Sequence, residues 1–417
     1  MQSLAGVKVI DISHVIAGPL ASHYLAQLGA SVIKIEHPRG GDVMRNSQKR
    51  QPGASDTHPA FAVLNHGKHS LAVDLKDARG RELVRKLAAG ADVFIENFRP
   101  GVIQRLGLDH ASLKELNPEL IYCSLSGYGQ SGEWSGRGAY DHVIQALSGM
   151  MLMGGEENDP PAKVGFPVVD VATGMVGAMA ILSALYRREK GGGGQVLDVS
   201  MAQAALQLMY PQAAGYLSTG EAPARIGNRG FSGSPSADTY QCTDGWLSTA
   251  ANTPGHFRTL CGVLGLEHLI DDPNYLDMEK FNAPGGGFVV ARDLEGLRAQ
   301  FRAAFATRSA RVMEAQLNAA GVPAARVRRI GEFLDEARDG TRLSFPMIEA
   351  FQGSETIRTP GMGFDAAPDR PGSSAGAPTL GEDTLRVLQW AGLSAGEIES
   401  LRADGVVGLP ATPGEAA

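Results

Sequence analysis

VKVIDISHVIAGPLASHYLAQLGASVIKIEHP, residues 7–38, is the stretch on which the fold turns. It opens on a β-like run, VKVIDIS (7–13), passes through an amphipathic run, PLASHYLAQLGA (19–30), and closes on a second β-like run, SVIKIEHP (31–38). Strand, helix and strand at this spacing predict two parallel strands joined by a crossover helix. The alternation continues outward through LAVDL (71–75), RGRELVRKLAAG (79–90), ADVFIENF (91–98) and LIYCSLSGYG (120–129). In the second helix Leu83, Val84 and Leu87 recur three to four residues apart, as one buried face requires. After VVD at 168–170 comes VATGMVGAMAILSALYRREKG, apolar nearly all round until its basic end, which predicts a central buried helix. The fold class expected is α/β: a Rossmann-like large domain with a parallel sheet, its N-terminal part spanning 1–215.

Beyond that point the pattern changes. Residues 215–245 are rich in Gly, Ser, Pro and Asn and read as loop, and QCTDGWLSTAA (241–251) reads as a hairpin around Asp244-Gly245. Helical patterns follow at 255–266 and around 293–320, with the glycine-rich NAPGGGFVVA between them. These features define a smaller α+β domain over 225–330. Residues 340–417 read as a C-terminal linker and helices. Within them, 365–385 is extended, a helix lies near 382–392, a short one follows Leu393-Ser394, and the last ten residues fray.

Composition narrows the function. Of 417 residues, 43% are hydrophobic and 20% charged, the balance of a globular protein long enough for two cores. The net charge of −7 argues against nucleic acid as a partner, although a local basic cluster can still bind phosphate. No uninterrupted apolar run approaches the roughly 20 residues of a membrane span, and no secretory signal opens the chain, so no membrane role and a cytoplasmic location are expected. Three scattered cysteines, Cys123, Cys242 and Cys261, form no CxxC pair and leave no metal site in prospect. Cys123, in LIYCSLSG, reads as a buried structural thiol. Glu36 ends the second strand as a ribose-binding acid would. The turn SHVIAGPLAS, however, lacks the GxGxxG that lets backbone approach a pyrophosphate, so nicotinamide binding is rejected.

Five segments in order resemble the class III coenzyme A transferases of the CaiB/BaiF type, a family that also contains formyl-CoA transferase and the α-methylacyl-CoA racemases. They are GVKVIDISHVIAGPLASHYLAQLGASVIKIEHPRGGD, NHGKHSLAVDLKDARGRELVRKLAAGADVFIENFRPGVIQRLGL, NPELIYCSLSGYGQSGEWSGRGAYDHVIQALSG, VDVATGMVGAMAILSALYRREKGGGGQVLDVSM and APTLGEDTLRVLQWAGLS. The resemblance spans nearly the whole chain and is weakest after 225. It implies a large domain built from both chain ends, a small central domain, and an interlocked homodimer.

The family's catalytic aspartate sits in a pattern resembling D-x-x-T-G-M, which falls here on Asp170 to Met175. Taken alone, an aspartate opening an apolar helix reads better as an N-cap; the resemblance implies the nucleophile, and the helix end would keep its carboxylate ionised. The coenzyme A site carried over by matching residues comprises His14, Ala17, Arg39, Lys68, Asn97, Phe98, Arg105 and Arg137. Chemically, Lys and Arg suit the phosphates and Phe98 suits the pantetheine arm, and Asn97-Phe98 lie at a strand's carboxyl end, where open α/β sheets bind ligands. Coenzyme A thioester is then a substrate, with no cofactor bound permanently. The segment GNRGFSGS (227–234) reads either as a mobile cover over the site or as plain linker.

Racemases of the family carry histidine in a pattern resembling G-H-D. This chain reads Gly138-Ala139-Tyr140-Asp141, with tyrosine in the histidine's place, and tyrosine is a poor base at neutral pH. His142, on a helix two positions later, is expected to point elsewhere. Transfer is therefore the expected chemistry and racemisation the alternative, with Tyr140 either bonding the acyl group or oxyanion or simply packing. A binding protein without chemistry would be expected to lack the Asp170 carboxylate. The partners expected are acyl-CoA and small carboxylic acids, dicarboxylic acids included. The basic residues around Arg45 to Arg50 read as a solvated loop, with a site for a second carboxylate as the other reading.

Overall fold

Alternate residues of one set of strands feed two different cores, as in a sheet buried on both faces. On one face Ile10, Ile33, Leu71, Phe94 and Tyr122 pack under the helices Ala78–Ala89 and Thr384–Trp390. On the other, Val9, Val32, Val93, Ile121 and Cys123 pack under the helices Ala17–Gln27 and Val168–Glu189. The computed structural model describes residues 2–47, 59–285, 287–338, 347–352 and 355–410.

The strands are β1 (Lys8–Asp11), β2 (Ser31–Glu36), β3 (His69–Val73), β4 (Val93–Glu96), β5 (Ile121–Ser126) and β6 (Gln195–Ser200). They are parallel in the order β3-β2-β1-β4-β5-β6, and a short C-terminal strand, Val407–Gly408, joins antiparallel beside β3. The α/β reading with a parallel sheet thus holds. Fraying does not begin at Gly408, which pairs with Ala72; residues 411–417 lie outside the described residues. The order reverses between β1 and β4. Their following loops therefore diverge to opposite faces and leave a crevice at the carboxyl ends.

Chain packing yields two compact units, residues 1–151, 163–221 and 344–417 in one and 152–162 with 222–343 in the other. Residues 152–162, read above within the first domain, pack with the second unit. The Arg225 guanidinium donates to the Gly154 carbonyl at 3.0 Å, and Gly227 N–H donates to the Gly155 carbonyl at 3.0 Å. The second unit has its own core around Tyr240, Phe257, Phe301 and Phe305, on a three-stranded sheet of Thr239–Cys242, Gly245–Thr249 and Ala324–Arg326. Cys242 pairs with Gly245, so the turn residues are Thr243 and Asp244, one position before those read from sequence. The segment 227–234 belongs to this unit, where Gly230 N–H donates to the Ala237 carbonyl at 2.7 Å. The pattern at 293–320 divides into Leu294–Ala306 and Ala310–Ala319. In the first unit an antiparallel hairpin, Met347–Gln352 with Glu355–Pro360, stands where sequence showed only linker.

The helix Val168–Glu189 corrects a second expectation. Its small residues face inward: a Cβ on Gly174 would lie 3.0 Å from the Ala17 carbonyl, and one on Gly177 would lie 3.1 Å from Leu125. The two helices approach closely because those side chains are missing. The opposite side is open, with Met175, Met179 and Tyr186 exposed. By length and composition it is the one described helix apolar enough to cross a membrane, and half of its apolar window is buried within the fold.

Candidate active site

The crevice at the β1/β4 switch point holds a cavity of about 450 Å³. Its walls come from His14 to Ala17 after β1, Asn97 to Pro100 after β4, and the 135–140 segment, with Asp170 and Thr173 from the first turns of the long helix. A second cavity of about 350 Å³ opens over the ends of β1, β2 and β3 and shares His14, Val43, Phe98 and Val102 with the first. The two are therefore neighbours, with these residues between them.

Asp170 is half-buried, and no hydrogen bond from a described residue reaches its carboxylate. The cap expected of it is supplied by another residue. Asp141, opening the helix Asp141–Leu147, accepts from the backbone N–H of Val169 at 2.7 Å and of Asp170 at 3.0 Å. Asp170 is thereby left free of structural duty. The expected effect of the helix end on its charge is also reversed. Burial, and then the like charge of Asp141, push the Asp170 carboxyl up to about 6. At neutral pH it is still mostly ionised, and more basic than an ordinary carboxylate.

Among the residues expected at a ligand site, His14, Ala17, Asn97, Phe98, Arg137 and Tyr140 line the first cavity. His14 and Phe98 lie with ring centroids 5.4 Å apart, and burial lowers the His14 pKa, so the imidazole is neutral. Arg137 stacks over Trp134 at 4.5 Å, and Tyr140 stands exposed at the rim. His142 does not point away from it: the two rings are nearly parallel at 6.4 Å, because Tyr140 is still extended before the helix begins. His142 is nonetheless absent from the cavity wall, where an α-proton base would have to stand. Arg39 and Arg105 are exposed and line neither cavity.

Lys68 requires correction as a phosphate ligand. Its side chain has no exposure, and its ammonium donates to Asp11 Oδ2 at 3.1 Å, the Pro19 carbonyl at 2.8 Å, Ser22 Oγ at 2.8 Å and Asn65 Oδ1 at 2.9 Å. A charge so fully engaged inside the core has no donor left for a ligand. Arg45 is likewise no receptor for a second carboxylate: it is buried, bidentate to Glu36 at 2.7 Å through each nitrogen, and stacked on Phe61. Residues 48–50 lie outside the described residues. Sequence reasoning missed Arg99, which lines the first cavity beside Gly138; a Cβ on that glycine would come within 3.2 Å of the guanidinium. The RPG following Asn97-Phe98 was the available signal. Cys123 is a fully buried thiol, as read. Among the described residues no group of three or more His, Cys, Asp or Glu is placed to hold a metal.

Comparison with known proteins matches residues 4–384 to the model of CoA-transferase family III. The chain is 38% identical to a succinate–glutarate CoA-transferase of Agrobacterium fabrum, over 65% of this chain and 69% of that one. It is 34% identical to an acetyl-CoA:oxalate CoA-transferase of Acetobacter aceti, over 90% and 92%. A crystal structure of a CAIB/BAIF family protein from Brucella suis superposes with a TM-score of 0.80 at 30% identity, covering 94% of this chain and 99% of that one.

Proposed function

The chain belongs to CoA-transferase family III, and on that premise we propose that coenzyme A passes from an acyl-CoA donor to a free carboxylic acid through the Asp170 carboxylate. One observation carries this reading: Asp170 offers a half-buried carboxylate, raised in basicity and not hydrogen-bonded by any described residue, to a cavity large enough for a thioester. Asp170 attacks the thioester carbonyl, the C–S bond breaks, and coenzyme A leaves as thiolate from an aspartyl mixed anhydride. The thiolate then attacks the Asp170 carbonyl of the anhydride, giving an aspartyl-CoA thioester and releasing the donor acid. The acceptor carboxylate repeats both steps in reverse, restoring Asp170. Water must be kept out, since the anhydride hydrolyses readily. The second cavity suits the nucleotide end of coenzyme A, with Phe98 at the junction of the two cavities beside the pantetheine arm.

At least one of the acids exchanged is dicarboxylic in this reading, as succinate, glutarate and oxalate are in the names of the two transferases above. Arg99 is the residue placed to take the far carboxylate, being a cation on the cavity wall with no acidic partner among the described residues. The test is a panel of free acids with acyl-CoA donors, the CoA products read by mass spectrometry. Arg99→Met is expected to lower kcat/KM for a dicarboxylic acceptor about 10- to 100-fold, the value of one charge-assisted contact, and to leave a monocarboxylic acceptor of equal length nearly unaffected. Equal losses for both would assign Arg99 to coenzyme A instead. Loss of an α-hydrogen without CoA transfer would favour racemisation.

A homodimer is part of the same proposal. Met175, Met179 and Tyr186 are 52%, 64% and 67% exposed along one side of the long helix, and the edge strand β6 adds Val196. An apolar stripe of this kind marks an interaction surface. Light scattering is expected to return twice the chain mass of 43.9 kDa; a monomer at micromolar concentration would refute the assembly.

A further inference from the structure

Val15 has φ of 73°, a left-handed conformation that β-branched residues all but avoid. Two consecutive peptide units before it are gripped at both ends. In the first, the Ser13 carbonyl accepts from Lys34 Nζ at 2.8 Å and the His14 N–H donates to Asn97 Oδ1 at 3.0 Å. In the second, the His14 carbonyl accepts from Asn97 Nδ2 at 2.7 Å and the Val15 N–H donates to Asp42 Oδ1 at 3.3 Å. Asp42 Oδ2 lies 3.0 Å from Lys34 Nζ, held by charge rather than by an aligned hydrogen bond, and both side chains are essentially without exposure. Asp42 is anchored in turn, its own N–H donating to Glu36 Oε1 at 3.0 Å. No such investment is needed to terminate a strand. What it fixes is the orientation of His14 through Ala17, the wall of the Asp170 cavity.

We propose that the buried Lys34–Asp42 pair, together with Asn97, is a positioning device that holds Val15 left-handed and so shapes the cavity wall that receives acyl-CoA. This rests on the reading of the cavity as the acyl-CoA site. Released, Val15 rotates toward its ordinary region, the wall turns over, and only a fraction of molecules remains competent to bind. Apparent affinity falls by that fraction.

The test is a rescue. Asp42→Asn removes the charge that secures the pair and is expected to raise the acyl-CoA KM about tenfold with kcat little changed. Adding Val15→Gly, for which positive φ carries no penalty, should recover most of the loss; adding Val15→Ala, which trims the side chain but keeps an L residue, should not. Equal rescue by Gly and Ala, or an unchanged KM in Asp42→Asn, overturns the proposal. Should Asp42→Asn fail to fold, the single variants decide it: Val15→Gly is expected to melt no lower than Val15→Ala, the reverse of the usual order, and the usual order overturns it. The two readings fail separately. An Asp170→Ala variant with full exchange activity removes the site itself, whereas an inactive one alongside no glycine rescue removes only the clamp.

Discussion

Asp170→Ala is expected to lower the rate of CoA exchange on the order of 10⁴-fold or more while leaving the circular dichroism spectrum unchanged. Loss of a covalent nucleophile has this scale because every later step depends on the bond it forms. The fold should survive, since the helix start is capped by Asp141 and the Asp170 carboxylate bonds to no described group. The wild-type rate should carry an acid limb with a midpoint near 6, the value to which burial and Asp141 raise the Asp170 carboxyl. Below that midpoint the carboxyl is protonated, and the rate falls about tenfold per pH unit. Asp141→Asn removes the like charge but keeps an oxygen to accept the two backbone N–H groups, so the limb should move to lower pH. Protein quenched during turnover should carry coenzyme A mass on the peptide containing residue 170. Full exchange by Asp170→Ala would dismiss the mechanism.

The second large effect concerns stability. Lys68→Met is expected to cost about 3–5 kcal/mol of unfolding free energy, measured by denaturant titration, without a specific change in acyl-CoA KM. Burial acts to raise Asp11, but the Lys68 and Lys34 ammonium groups with the Ser13 and Ser22 hydroxyls outweigh it and hold the carboxyl at about 2. Removing Lys68 leaves that buried carboxylate short of its main partner. Burial in turn draws Lys68 down to about 8 despite the attraction of Asp11, so methionine also removes a desolvation cost and the loss should lie toward the lower figure. For Asp11 the sign is set by its lowered pKa: its contribution is present above the unfolded value of 3.8 and is lost as pH falls toward 2. A stable Lys68→Met protein with a raised KM for acyl-CoA would return Lys68 to the ligand site.

Several cavity-lining residues could be read without coordinates because they lie at strand ends. Asn97 and Phe98 close ADVFIENF, His14 and Ala17 follow VKVIDIS, and a parallel sheet brings both ends to one crevice. Arg99 escaped notice although it directly follows Asn97-Phe98, because an arginine one step past a strand end can turn to solvent as readily as into the crevice. Lys68 was misassigned because the family match placed it at the ligand site, and NHGKHS does not show that Asp11 and Ser22 come from elsewhere in the chain to join the nearby Asn65 around its ammonium. The helix Val168–Glu189 looked fully buried because an apolar surface reads alike in sequence whether it meets a core or faces outward.

Local periodicity and turn chemistry, which act over a few residues, determined the α/β class and the parallel sheet, and a motif resemblance pointed to Asp170; the strand order that opens the switch-point crevice came only with the tertiary structure. Only the tertiary structure decided which charges face the crevice and which neutralise one another beneath it. It also assigned the helix cap to Asp141 and showed Val15 in a left-handed conformation. Those outcomes depend on distances between residues far apart in sequence and on how much water remains around them, and neither quantity is encoded in any short segment.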